Sequence, residues 1–231
     1  MKRIVTIDAA RGIAVALMIA YHFSFDLNYF GIIHQDMNHE RFWLASRAFI
    51  VSLFLILAGI SLVLASSLDA RHFWKRQGRL LAAAAAVTAG SWLMFPKSYI
   101  YFGILHFIFT ASLIGRVFLN FPEAALFSGL AVIAFGLDYS NPLFDLPYLN
   151  WIGLMTHKPY TEDYVPIFPW LGVVLIGIFL GNLLFERTKS AWIRLEIPVM
   201  KFPSLIGRHS LAIYLLHQPI LIGILYLAVT H

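Results

Sequence analysis

The sequence predicts an all-α fold in which about seven transmembrane helices form a polytopic bundle. The 231 residues are 60% hydrophobic and only 13% charged, whereas soluble domains are usually about half apolar and about one quarter charged. The apolar residues also form separate segments, most with about the 17–25 residues that a membrane-spanning helix needs. These segments lie at approximately 9–30, 43–67, 79–95, 99–119, 122–137, 166–185 and 209–229.

The distribution of basic residues supports the same helix count and predicts its orientation. With seven crossings and a cytoplasmic N-terminus, only four of the 17 Lys and Arg residues lie on the outer side, which agrees with the positive-inside rule. Those four are Arg41, Arg47, Lys97 and Lys158. We therefore attribute the net charge of +5 to membrane topology and expect no nucleic-acid partner. The whole chain, 1–231, is predicted to be one membrane-embedded domain.

The first segment carries four ionisable residues, Asp8, Arg11, His22 and Asp26. With the apolar residues between them they step by three or four positions, so they share one face of a helix. Arg11 and His22 are about 16 Å apart along the axis at 1.5 Å per residue. Hydrocarbon penalises ionisable groups, and those that persist in such a helix are functional candidates. We predict that this stripe lines a polar path through the bundle.

His22 and Asp26 together contain the two groups that a general base requires. The two residues are one helical turn apart, so the carboxylate can hold the imidazole and raise its basicity. A proton acceptor with a group that orients it is what general-base catalysis requires. The alternative is a structural hydrogen-bonded pair that locks the first helix to its neighbours.

Asp8 and Arg11 have a structural and a functional interpretation. Asp8 has the residue type of a helix N-cap, and Arg11 can extend its guanidinium to lipid phosphate. In the functional interpretation, Arg11 binds an anionic group that arrives from the cytoplasm.

The first outer loop and the second helix add two candidates. His34, in GIIHQDMNHE, follows the first helix closely enough to fold over the mouth of the polar path, so it is a second candidate base. Arg47 lies near the outer start of the second helix, where a buried arginine needs a carboxylate. We expect Asp26 to be that carboxylate.

The cytoplasmic run DARHFWKRQGRL, which leads into the third apolar segment, is basic. The positive-inside rule explains most of this charge. The functional interpretation is a cradle for a phosphate-bearing cofactor, with Arg76 and Arg79 as ligands, because guanidinium geometry suits phosphate. Gly-rich phosphate loops of the P-loop or Rossmann kind are absent from the sequence.

Two further histidines occupy apolar helices, His106 in the fourth segment and His217 in the last. Each alone is typical of a satisfied buried histidine, but together with His22 they support a polar path. Neither HExxH nor clustered carboxylate spacing accompanies them, so no metal is expected. The fifth segment, 122–137, is short enough to be tilted or re-entrant.

Several blocks of the chain resemble a known family. RIVTIDAARGIAVALMIAYHF resembles the opening of the bacterial membrane family of the heparan-α-glucosaminide N-acetyltransferase catalytic domain type. FLILAGISL, YFGILHFI, FPWLGVVLIGIFLG and IGRHSLAIYLLHQPI match further blocks of that family in the same order. The RG…H opening is also similar to the acyltransferase-3 family of membrane acyltransferases.

The resemblance implies a membrane acyltransferase of the bacterial cytoplasmic (inner) membrane. It implies transfer of an acetyl or other acyl group from cytoplasmic acyl-CoA to a sugar or envelope glycan on the outer side. The acyltransferase-3 pattern puts its essential histidine on His22, whereas the heparan enzyme's loop histidine has His34 as its nearest counterpart. The residues alone leave two alternatives, a proton-coupled transporter that uses the buried His/Asp stripe and a structural subunit of a membrane complex. A homo-oligomer is compatible with the acyltransferase and with both alternatives.

Overall fold

The computed structural model describes residues 4–66, 69–187 and 198–230, and in that part every regular element is helical. The prediction of an all-α fold is therefore confirmed. The longer helices are α1 Val5–Tyr29, α2 Arg41–Leu64, α3 Ala70–Met94, α4 Ile104–Gly115, α5 Pro122–Asp138, α6 Ile167–Arg187, α7 Lys201–Arg208 and α8 Ser210–Thr230. Each predicted apolar segment contains one helix, and the short α7 is additional.

Within the described residues, four helices are long and apolar enough to cross a membrane: Val5–Tyr29, Arg41–Leu64, Ile167–Leu184 and Ser210–Val229. The third helix has a charged first half. The fourth has 12 residues and the fifth has 17, which correspond to about 18 Å and about 26 Å against a hydrocarbon core of about 30 Å. Seven crossings, the cytoplasmic N-terminus and the single domain therefore stay predictions.

The absence of cysteine from the sequence makes the topology directly testable. We expect single cysteines at Asn38 and Asn141 to react with an impermeant maleimide in intact cells. Cysteines at Ser66 and Asn120 should react only after permeabilisation. If α5 does not cross, positions 120 and 141 will label from the same side, and labelling of Ser66→Cys in intact cells would contradict the predicted orientation.

The helices divide into two compact units, of which the first comprises Met1–Phe54 and Thr188–His231. In this unit α1 packs against both α7 and α8. Glycines allow the closest approach: a side chain at Gly12 would overlap the carbonyl of Pro203, and one at Gly207 would overlap the carbonyl of Asp8. Small residues that let helix backbones approach are the usual contact points of membrane helices.

Gly12 should consequently tolerate no side chain. We expect Gly12→Ala to lower the free energy of unfolding by about 1–3 kcal/mol, because overpacking outweighs alanine's better helix propensity. Gly223→Ala, on α8, is the matched control, since a Cβ there meets nothing within 4 Å. Thermal unfolding in detergent measures both variants. Equal melting temperatures for the two would contradict the close α1–α7 contact.

The second unit comprises Leu55–Arg187. In it α3 packs against α4, while α6 packs against α4 and α5. The completely buried side chains of Phe107 and Ile178 belong to its core. Gly59, on the part of α2 that lies in this unit, contacts the Val174 carbonyl of α6 closely, as expected for a glycine at a helix crossing.

The loop between α5 and α6 is held by hydrogen bonds from backbone and side-chain donors to one side-chain carboxylate. Asp145 accepts hydrogen bonds from the Thr156 hydroxyl at 2.5 Å, the Thr156 amide at 2.7 Å and the His157 amide at 3.1 Å. These bonds, that of the Thr156 hydroxyl foremost, lower the pKa of Asp145 to about 2. The carboxylate therefore stays ionised and orders this aromatic-rich loop at any physiological pH.

Candidate functional site

The first unit brings two histidines of different helices into direct contact. Nδ1 of His22, on α1, lies 2.7 Å from Nε2 of His217, on α8. The two ring planes are inclined by only 21°, and their centroids are 4.9 Å apart. This near-coplanar, end-to-end arrangement is that of an in-plane hydrogen bond between two imidazoles rather than of face-to-face stacking.

The hydrogen-bond network assigns the tautomer of each ring. Nδ1 of His217 lies 2.7 Å from the carbonyl oxygen of Tyr214. A carbonyl only accepts, so Nδ1 of His217 carries the proton and its Nε2 has a lone pair in the neutral ring. That lone pair accepts from the Nδ1–H group of His22. Nε2 of His22 is thus left as a proton acceptor, and no donor among the described residues reaches it.

The predicted hydrogen bond between His22 and Asp26 is wrong. Asp26 is 3% exposed, and its Oδ1 accepts from Nε2 of Gln218 at 2.7 Å. A shared helix face allowed contact between His22 and Asp26, but α8 offers each of them a nearer partner. The group that orients His22 is therefore His217 and not Asp26. The other buried oxygens of this pair, Oδ2 of Asp26 and Oε1 of Gln218, have no partner among the described residues.

The predicted ion pair between Arg47 and Asp26 is also wrong. No salt bridge joins them in the described part of the chain, where Gln218 binds Asp26 instead. Arg47 is half-buried and lies close enough to Tyr21 to interact electrostatically with its phenol. A neutral amide therefore binds one oxygen of this carboxylate, and the other has no partner among the described residues.

A second charged group lies near the start of α1. The guanidinium of Arg11 donates to Oδ1 of Asp8 at 2.8 Å, and Nε of Arg208 lies 3.8 Å from Oδ2 of Asp8. The N-cap of α1 is Ile4, so the capping role considered for Asp8 is wrong. Asp8 instead holds two arginines. Sequence reasoning missed Arg208 because it is distant along the chain and is positioned by α7.

The other predicted base, His34, lies in the loop between α1 and α2. Its side chain is exposed and makes no hydrogen bond in the described part of the chain. The structure therefore brings no orienting group to it, and its role stays a prediction.

His106, in the second unit, has both ring nitrogens occupied. Nδ1 accepts from the Gly103 amide at 3.3 Å, and Nε2 lies 3.2 Å from the hydroxyl oxygen of Thr88. That hydroxyl donates to the Ile100 carbonyl at 2.7 Å, so it accepts from Nε2–H of His106. No lone pair is left for a base. His106 has the contacts of a structural histidine, at the wall of a cavity of about 580 Å³ between α3 and the 99–106 segment.

The basic segment of α3 also lies in the second unit. Arg76 is half-buried and Arg79 is exposed. The end of α4 adds a residue that the sequence did not identify: the guanidinium carbon of Arg116 lies 4.4 Å from the centroid of the Phe73 ring. This cation–π contact brings Arg116 to the same end of α3 as the predicted phosphate ligands. A search for local charge runs cannot find such a residue, because it lies on another helix.

Among the described residues no three or more His, Asp or Glu side chains converge in a way that could hold a metal ion. The expectation that no metal takes part stays a prediction.

Comparison with known proteins decides the class of this protein. The family model for heparan-alpha-glucosaminide N-acetyltransferase, catalytic, matches residues 3–219. The chain belongs to this family. The match includes both histidines of the α1–α8 pair and both ends of the basic segment. No curated protein and no solved structure matches the chain.

Membership of the heparan-alpha-glucosaminide N-acetyltransferase family makes the chain a membrane protein of an acetyltransferase family. That family uses acetyl-CoA as the acetyl donor. The transporter alternative is not supported by this membership.

Proposed function

We propose that the protein transfers an acetyl group from acetyl-CoA, which binds from the cytoplasmic side, to a sugar of an envelope glycan on the outer side of the bacterial inner membrane. The observation that carries this proposal is the unpaired Nε2 of His22, oriented by His217, in a chain that belongs to an acetyltransferase family. With the N-terminus in the cytoplasm, His22 lies in the outer half of α1, on the acceptor's side.

The acyl transfer needs one proton to move. As the amine or hydroxyl of the acceptor attacks the thioester carbonyl, Nε2 of His22 takes its proton. The tetrahedral intermediate then expels the thiolate of coenzyme A, which receives that proton from the imidazolium of His22. His217 stabilises this imidazolium because its Nε2 accepts the Nδ1–H bond throughout. The products are the acetylated acceptor and free coenzyme A.

Two buried oxygens beside the histidine pair suit the acceptor. Oδ2 of Asp26 and Oε1 of Gln218 accept hydrogen bonds but have no donor among the described residues. A sugar presents several O–H and N–H donors, and buried acceptors gain most from such partners. We infer that this pair orients the attacking group toward His22.

The donor's phosphates suit arginine side chains near the predicted inner surface. Arg11 and Arg208, both held by Asp8, belong to the first unit. Arg76, Arg79 and Arg116 belong to the second. Guanidinium groups bind phosphate with paired, charge-assisted hydrogen bonds, so either group offers a binding site for coenzyme A.

Acetyl transfer by the purified protein tests the proposal. The protein in lipid nanodiscs is incubated with radiolabelled acetyl-CoA and with glucosamine, its oligosaccharides or an envelope glycan extract. We expect label in the acceptor and saturable binding of coenzyme A. Binding of coenzyme A without transfer to any sugar would refute the glycan acceptor, and absence of both binding and transfer would refute the donor.

A further inference from the structure

Gln77 on α3 is buried in a way that costs free energy. Its side chain is 1% exposed, and neither Nε2 nor Oε1 has a hydrogen-bond partner among the described residues. A buried amide without partners is unfavourable, because it has lost its hydrogen bonds to water and gained none in the protein. A position that retains such a group is expected to gain its partners from a bound molecule, since leucine of similar volume would otherwise be more favourable.

The neighbours of Gln77 indicate the chemistry of that molecule. Phe73, one turn earlier on the same face of α3, carries the guanidinium of Arg116 over its ring. Arg76 and Arg79 flank Gln77 in sequence. Toward the other end of α3 the same face continues with buried apolar residues, beginning with Leu80. Arg76 and Arg79 lie on other faces of the helix, so the face of Gln77 itself presents the Arg116 guanidinium at Phe73, then the amide, then apolar side chains from Leu80 onward.

An amide side chain is complemented by a group that offers both an N–H donor and a C=O acceptor. A ligand for this face therefore has anionic groups at one end and secondary amides in a narrow arm that passes between apolar side chains. Coenzyme A has this order of groups, with phosphates followed by the two amides of its pantetheine arm. Resting on the proposed acetyl-CoA donor, we propose that Gln77 binds an amide of the pantetheine arm through its buried side chain.

The test uses Gln77→Leu in the full chain in nanodiscs, with three probes: coenzyme A, pantetheine and adenosine 3′,5′-bisphosphate. Leucine keeps the volume and removes both polar atoms. We expect the affinity for coenzyme A to fall about tenfold and pantetheine binding to be lost, since one hydrogen-bonded amide is removed. Binding of adenosine 3′,5′-bisphosphate should not change, because it has no amide arm.

The stability of the ligand-free protein separates a binding role from a structural one. If the amide of Gln77 gains its hydrogen-bond partners only when a ligand binds, Gln77→Leu keeps or raises the melting temperature of the ligand-free protein, because an unpaired polar group has been removed. A lower melting temperature would show that Gln77 has protein partners and would overturn the proposal. Gln35→Leu, in the exposed α1–α2 loop, is the matched control: it removes only a long, exposed hydrogen bond from the Trp43 indole, 3.4 Å, and should leave the affinity for all three probes unchanged.

The outcomes also separate this inference from the proposed function. If the wild-type protein binds coenzyme A and Gln77→Leu binds it equally well, the assignment of Gln77 is refuted while the donor stands. If the wild-type protein binds adenosine 3′,5′-bisphosphate but not pantetheine, the amide contact is refuted. If it binds none of the three probes, the proposed donor itself fails.

Discussion

Acetyl transfer by His22→Ala is expected to be about 10²–10⁴-fold slower than by the wild-type protein, because a general base typically contributes that factor. The Michaelis constant for acetyl-CoA should stay within a few-fold of the wild-type value, since the donor's binding groups are untouched. Single-turnover transfer from radiolabelled acetyl-CoA measures the chemical step.

His34→Ala and His209→Ala are the comparisons for His22→Ala. His209 is an exposed histidine between α7 and α8 with no role in the proposed mechanism, so its variant should retain wild-type transfer. His34→Ala distinguishes the two predicted bases. If His34→Ala loses transfer and His22→Ala retains it, the base is the loop histidine and the α1–α8 pair is structural.

Replacement of His217 should lower kcat, because it disturbs the protonation of His22, and should leave substrate binding unchanged. His217→Phe removes the acceptor of the His22 Nδ1–H bond, so the proton of His22 is free to move to Nε2 and block the base. We expect kcat to fall about 10²-fold, within the range that general-base catalysis contributes. His217→Gln places a carbonyl oxygen where Nε2 was and should restore most of this loss.

The pH dependence separates positioning by His217 from a purely structural role. A variant that has only lost packing should lower kcat by the same factor at every pH. His217→Phe should instead move the pH at which kcat is half-maximal, because the partner that stabilises the imidazolium of His22 has been removed. An unchanged pH profile, or equal loss in the Phe and Gln variants, would refute the positioning role.

Much of the fold and part of the site could be predicted from the sequence. Every predicted apolar segment contains a helix, and two of the three histidines singled out in these segments, His22 and His217, meet. Hydropathy and length suffice to predict the helices, because a helix satisfies its backbone hydrogen bonds internally and needs no distant partner, whereas the contact between the two histidines was not predicted.

The partners of individual side chains could not be predicted in the same way. Asp26 was assigned to His22 and to Arg47, yet it binds Gln218. Arg208 and Arg116 were not singled out at all. Helical spacing tells which residues share a face, but not how far that face is rotated or which residue of the next helix lies opposite.

The sequence by itself determined that this is an all-helical membrane protein of an acetyltransferase family, because apolar length and ordered sequence blocks are properties of the chain alone. Only the tertiary structure decided which nitrogen of His22 is left to accept a proton. That property depends on the Tyr214 carbonyl and on His217, which α8 places against α1 about 195 positions later in the chain. Hydrogen bonds across helices are set by the rotation and crossing of the helices, and these exist only in three dimensions.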